Sequence, residues 1–209
     1  MKFKRALCMI ASSALLAGLA VAARADTNIL QGNWQVLATS GVMGTLRSGS
    51  VWTGDGGTLA SLSSIVDGAF LPEQTQWDYG TWWWDQDPSV NASPVVTTIQ
   101  LNGFFTIDRL LVQADNNDTY GIRYRDNGGI WQDLWTVGSV AGYGMMTRDS
   151  GIIGSIVTDA LEFTALGGDN YYAVSEIQAF SPSVPEPATL SLIAAALAVV
   201  GFTARRKQG

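Results

Sequence analysis

The sequence predicts an all-β protein, an antiparallel β-sandwich or jelly roll set between two processing segments. Three observations predict it. Tyr120, Ile122 and Tyr124 alternate with Gly121, Arg123 and Arg125, the two-residue period of a half-buried strand. Short apolar, β-branched or aromatic runs are divided by turn signals: Asp67-Gly68, Asn102-Gly103, Asp126-Asn127-Gly128-Gly129 and Gly167-Gly168-Asp169-Asn170. Glycines, 23 in 209 residues, interrupt the candidate helical runs of the interior, where each would cost helix stability.

The elements follow in order. Lys2, Lys4 and Arg5 precede an apolar run, Ala6 to Val21, and Ala23-Arg24-Ala25 offers small residues for cleavage. Residues 1–25 therefore read as a signal peptide handled by signal peptidase and the secretion machinery. The β-sandwich domain is assigned to 26–181. Trp34, Val36 and Leu37 predict a first strand, and Val42 to Trp52 is a candidate second. Thr75 to Asp87 is the most aromatic stretch. Val95 to Leu101 and Phe104 to Ala114 read as two strands divided at Asn102-Gly103. Residues 120–125 and Ile130 to Val137 read as a hairpin. Gly138 to Gly154 reads as a glycine-rich connection, followed by strands over Ile156 to Leu166 and Tyr171 to Phe180. Residues 182–187 form a proline-containing linker. Residues 188–204 are uncharged and apolar; 17 residues at about 1.5 Å each reach roughly 25 Å, the short end of a membrane span. The basic residues in 205–209 place that end in the cytoplasm.

Composition limits function. The only cysteine, Cys8, lies in the signal, and the chain has no histidine. The mature domain thus has no disulfide and no Ser-His-Asp or Cys-His nucleophile system. Five arginines (Arg47, Arg109, Arg123, Arg125 and Arg148) stand against 17 acidic residues, a net charge of −12 for the domain. Nucleic acid is excluded as a partner of such a surface, whereas cations and neutral polysaccharide suit it.

Val184-Pro185-Glu186-Pro187-Ala188-Thr189-Leu190, the apolar run, and Arg205-Arg206-Lys207 occur in order at the C-terminus. This arrangement resembles the PEP-CTERM sorting signal of Gram-negative bacteria. The resemblance implies that Val184, Pro185, Glu186, Pro187, Arg205, Arg206 and Lys207 form the sorting motif. It also implies export across the inner membrane and transient anchoring there. An exosortase would then process the protein for the surface or the extracellular matrix, in the setting of exopolysaccharide and biofilm. A sorting signal is an address and leaves the cargo's activity open.

Leu59 to Gly68, Thr75-Gln76-Trp77, Thr98 to Leu101, Ile107 to Val112, Tyr120 to Asp126 before Trp131, and the closing Ser175-Glu176-Ile177-Gln178-Ala179-Phe180 also occur in sequence. Together they are similar to the discoidin or coagulation-factor C-type domain, a galactose-binding-like jelly roll. The resemblance implies a structural Ca2+ near the domain ends, with Asp67 and Glu176 in the matching places. Calcium takes six to eight hard oxygens, which carboxylates and loop carbonyls supply. The alternative is that Asp67 caps a turn and Glu176 is a solvated or ion-paired residue.

The candidate ligand residues are Trp82, Trp83, Trp84 and Asp85, with Tyr143 and Arg148. Sugar rings stack their apolar faces on aromatic side chains while carboxylates and guanidinium groups bond the hydroxyls. The alternative is that these tryptophans are core, since successive strand residues face opposite ways, and that Arg148 pairs with nearby aspartates. Trp77, Trp131 and Trp135 read as core. No local motif marks an acid and nucleophile pair, so no enzyme activity is expected. The leading expectation is a non-catalytic polysaccharide-binding module. The alternatives are a self-associating matrix protein and, further off, a glycan-active enzyme.

Overall fold

The computed structural model describes residues 27–40, 43–46, 57–87 and 93–182, which lie in one unit, Asp26–Pro182. Eight strands run in order: β1 (Trp34–Ser40), β2 (Thr58–Leu59), β3 (Tyr79–Asp85), β4 (Val96–Asp115), β5 (Thr119–Arg125), β6 (Trp131–Val137), β7 (Met145–Gly167) and β8 (Tyr171–Phe180); a 3-10 turn, Leu62–Val66, precedes β3.

Two long strands organise the rest. β4 and β7 pair antiparallel from Val96↔Thr164 to Asp115↔Met145. The first part of β4 also takes β1, from Trp34↔Leu101 to Ser40↔Val96. Its last part takes β8, from Arg109↔Phe180 to Ala114↔Val174. β5 lies on the C-terminal part of β7, and β6 lies on β5. β3 lies on β8, with β2 parallel to it at the edge. The long strands thus serve two strips, β1–β4–β7–β5–β6 and β2–β3–β8–β4–β7.

The strips pack face to face. Tyr120 of β5 meets Trp84 of β3 at 6.4 Å and Tyr172 of β8 at 6.0 Å between ring centroids, and stacks on Phe163 of β7 at 5.0 Å. Its hydroxyl donates to Asp118 Oδ2 or the Ala173 carbonyl, each at 3.1 Å. Around these rings Leu30, Ile65, Val66, Ile99, Leu110, Val112, Leu161 and Val174 are buried in one apolar cluster. The expected all-β sandwich of jelly-roll type is therefore found.

Two expectations about strand limits change. Asn102-Gly103 does not end a strand: β4 runs through it, because both halves find partners on β7 and a break would leave ladder groups unpaired. Gly138 to Gly154 is not all connection, since β7 begins at Met145. Gly151 and Gly154 sit at φ 61° and 83° where the β4–β7 register shifts, so they serve as bulge positions within a continuous strand. Among the described residues no helix is long and apolar enough to cross a membrane. The signal segment 1–25, most of the candidate strand at 42–52, Arg47, the span 188–204 and the basic tail lie outside the described residues.

Candidate functional site

The 3-10 turn and the closing strand bring Asp67 and Glu176 together. Asp67 ends the turn, and its Oδ1 accepts the Ala69 N–H at 2.8 Å. Gly68 follows at φ 88°, a left-handed backbone that glycine adopts without steric cost, and its N–H donates to Glu176 Oε1 at 3.0 Å. Gln31 Nε2 donates to the Asp67 carbonyl at 2.9 Å. Asn28 Oδ1 accepts the Leu30 and Ala179 N–H groups at 3.1 and 3.3 Å, which ties the N-terminal segment to β8.

Glu176 is fully buried, and its Oε2 has no hydrogen-bond partner. Burial pushes its carboxyl up to about 8. The Asp67 charge adds to the rise, and the Gln178 amide and the Gly68 and Ala69 N–H groups oppose it. A buried carboxylate oxygen without a partner is costly. A hard cation beside an exposed second carboxylate would remove that cost, so the residues present fit calcium. Among the described residues no three His, Cys, Asp or Glu side chains converge on a metal position. Asp67 and Glu176 would therefore hold the ion with main-chain carbonyls and water.

The proposed aromatic platform is not one surface. Trp83 and Trp84 are each 1 % exposed. They face opposite ways, as neighbours on a strand must. Trp84 lies in the main core, its indole donating to Gln86 Oε1 at 3.2 Å. Trp83 packs with Met145 and Ala173 under Leu46 and Trp77, and meets Trp77 edge-on at 5.5 Å. Trp82 is half-buried against the main core. Asp85 is fully buried at the end of β3, where its Oδ1 accepts the Asp87 N–H at 2.8 Å.

Arg148 is also structural. It is 7 % exposed, and its guanidinium donates to the carbonyls of Ala114, Asp115 and Met146 at 2.8 to 3.0 Å. It sits among charges: burial, then the Asp115 and Asp169 carboxylates, push Asp118 up to about 7. Burial first, then Asp169, push Asp115 to about 6 despite the Asn116 N–H and Arg148. Thus Trp83, Trp84, Asp85 and Arg148 are unavailable to an external ligand, because the sandwich needs them inside. Tyr143 is exposed in the connection between β6 and β7.

Sequence reasoning missed a hollow on the solvent side of β5, β6 and β7. It has a volume of about 260 Å3 and is bordered by Gly121, Arg123, Leu134, Thr136, Thr164 and Leu166, with Asp133 and Trp135 beside them. Trp135, half-buried, packs against the main core as expected, whereas Trp131 stands on the outer face under Arg123 and Arg125, 6.0 and 5.8 Å from its ring centroid. The available signal was the Gly121-x-Arg123 alternation opposite a tryptophan-rich return strand.

No curated protein matches the chain. Solved structures similar to it include the family 32 carbohydrate-binding module of Streptococcus pneumoniae EndoD, at 14% identity and TM-score 0.47 over 75% of this chain and 100% of that one. Another is CpGH89CBM32-5 of Clostridium perfringens, in complex with GalNAc-β-1,3-galactose, at 16% identity and TM-score 0.48 over 74% and 100%. A third is the family 32 module of C. perfringens NanJ, in complex with galactose, at 16% identity and TM-score 0.48 over 75% and 99%. At its C-terminal end, residues 183–207, the chain carries the PEP-CTERM protein-sorting motif.

Proposed function

We propose that this is an exported surface or matrix protein whose jelly-roll domain binds polysaccharide without cleaving it. In this reading the 188–204 span holds the protein at the inner membrane of a Gram-negative cell until an exosortase processes it. Asp67 and Glu176 bind a structural calcium ion that takes the place of a disulfide between the domain ends. The sorting motif at 183–207 carries the reading. The partnerless Glu176 oxygen supports its calcium component.

The three glutamates of the mature domain support a non-catalytic role. Glu176 is buried against the Asp67-Gly68 turn, where its Oε1 accepts the Gly68 N–H. Glu73 accepts the Thr147 N–H at 3.1 Å and the Thr147 hydroxyl. Glu162 faces Arg123 at 3.4 Å. Glu73 and Glu162 are thus engaged by donors of the fold, and Glu176 is given to the cation in this reading. The test is retention of the full-length protein on the host's own exopolysaccharide with calcium present; loss of retention against a matched uncharged matrix removes the polysaccharide component.

A self-associating matrix protein is the second reading. It is favoured by exposed Phe104, Ile152 and Val157 on neighbouring stretches of β4 and β7. Concentration-dependent assembly that Ile152→Ser abolishes, with no polysaccharide retention, would select it.

A further inference from the structure

The hollow on β5, β6 and β7 is built from strand register. Tyr120 and Ile122 point into the core, so Gly121 and Arg123 point out. Across the three strands this makes two outward rows. In the first, Gly121 lies between Thr136 and Thr164; in the second, Arg123 lies between Asp133 and Glu162. Gly121 is buried under Leu166: a Cβ there would stand 3.2 Å from both Leu166 methyls, so the glycine lets Leu166 lie close against the strand at the floor of the hollow. The register shift between Ile122 and Arg123 leaves Leu134 as an extra residue on β6, which widens the hollow on that side.

The lining is amphipathic. Exposed Leu166 offers aliphatic surface, and Leu134, half-buried against the main core, lines the hollow beside it. Thr136 is exposed. The Thr164 hydroxyl donates to the Val95 carbonyl at 2.8 Å, leaving its oxygen to accept. Arg123 lies over the Trp131 ring, 6.0 Å from its centroid, and its polar contacts are loose. Its contacts to Glu162, the Trp131 carbonyl and Asp133 are 3.4, 3.4 and 3.5 Å, at the outer limit of hydrogen bonding. Arg125, one row further, is instead locked to Asp159 at 2.8 and 2.7 Å and to Gln100 at 2.6 Å. The Arg123 donors can turn to a ligand at little cost, and the Asp133 side chain, 98 % exposed, can accept from hydroxyl groups.

We propose that this hollow is a subsite for one neutral pyranose ring. The ring's C–H face would lie on Leu134 and Leu166, with its hydroxyls on Thr136, Thr164, Arg123 and Asp133. The proposal rests on the polysaccharide reading and gives it a place and a ligand class. The volume decides size: 260 Å3 lies just under the roughly 300–1,000 Å3 of pockets for larger small molecules. Charge decides class: one guanidinium faces two carboxylates, so a uronate would meet net repulsion while a neutral sugar meets donors and acceptors.

The test uses the full-length protein in detergent. Methyl β-galactoside, methyl β-glucoside and galacturonate are titrated by calorimetry, and retention on the host exopolysaccharide is measured in parallel. The proposal expects a neutral glycoside to bind at least tenfold more tightly than galacturonate. Arg123→Met, Thr136→Val and Gly121→Ala should each weaken sugar binding and retention at least tenfold. Asp133→Ala, at a side chain that the fold does not bury, should weaken both with an unchanged melting curve. Preferred binding of galacturonate overturns the ligand class. Wild-type retention that survives all four substitutions overturns the site and leaves the polysaccharide reading standing. Absence of both sugar binding and retention overturns both.

Discussion

Replacing Glu176 by glutamine separates the cost of this buried carboxyl from the benefit of its cation. In the fold the carboxyl titrates at about 8, whereas in an unfolded chain it titrates near 4.3, about the ordinary glutamate value. The folded value is the higher, so between those two pH values the fold keeps a proton that the unfolded chain has lost. Calcium-free stability is highest below the unfolded value and falls as pH rises toward 8. At pH 7 the full difference comes to about 3–4 kcal/mol, and to about 2–3 kcal/mol once screening at the exposed Asp67 side is allowed for. Glu176→Gln removes this cost and keeps an oxygen for the Gly68 N–H that Oε1 accepts at 3.0 Å. In chelator at pH 7 its melting temperature should rise by roughly 5–10 °C, at about 2–4 °C per kcal/mol for a domain of this size. Calcium at 100 times its dissociation constant should stabilise the wild type by about 2.7 kcal/mol and leave Glu176→Gln unmoved. The assay is thermal unfolding of the full-length protein in chelator and in calcium chloride, at pH 5 and pH 8. The calcium effect should be larger at pH 8, because binding requires the deprotonated carboxyl. A variant that melts lower than wild type in chelator, or a wild type indifferent to calcium at both pH values, would refute the reasoning.

Three further outcomes are expected. Asp118 at about 7 and Asp115 at about 6 also lie above their unfolded values near 3.9, so stability in chelator should fall as pH rises from about 4 to 7; Asp118→Asn should flatten that slope in urea titrations at pH 5 and 8. Arg148→Met should cost about 3–5 kcal/mol by urea unfolding, because it strips donors from the Ala114 and Asp115 carbonyls and leaves the buried carboxylates without their cation. Trp83→Ala should cost about 3–5 kcal/mol from the cavity it opens, while the folded fraction keeps wild-type retention on exopolysaccharide.

The strand alternation of 120–125 and the Asp126–Gly129 hairpin could be read directly from sequence, because side-chain period and turn chemistry are local. The Asp126 N–H donates to the Ile130 carbonyl at 2.9 Å, as a hairpin requires. The continuity of β4 through Gly103 was not legible: it depends on β7, some fifty residues away, offering partners to both halves. The turn at Asp67 and the closing strand at Glu176 are joined by the Gly68 N–H on Glu176 Oε1, a contact 108 residues apart in sequence. That Glu176 Oε2 is left without a partner depends on how the turn and β8 pack, which a linear sequence does not display. Trp82 to Trp84 misled because an aromatic run looks the same whether its rings face a ligand or both sides of a strand. Alternation alone forbade a common surface, but only the loops over β3 show that Trp83 is covered too. The hollow at Gly121 was hidden for a similar reason. It depends on a glycine under Leu166 and a bulge on β6, and both matter only once three strands are in register.

The most direct measurement is retention of the full-length protein, with calcium present, on the exopolysaccharide of its own host, against a matched neutral matrix. Specific retention is expected, eluted by a neutral glycoside and weakened at least tenfold by Arg123→Met. Passage straight through, by a protein whose melting curve shows it folded, would contradict it.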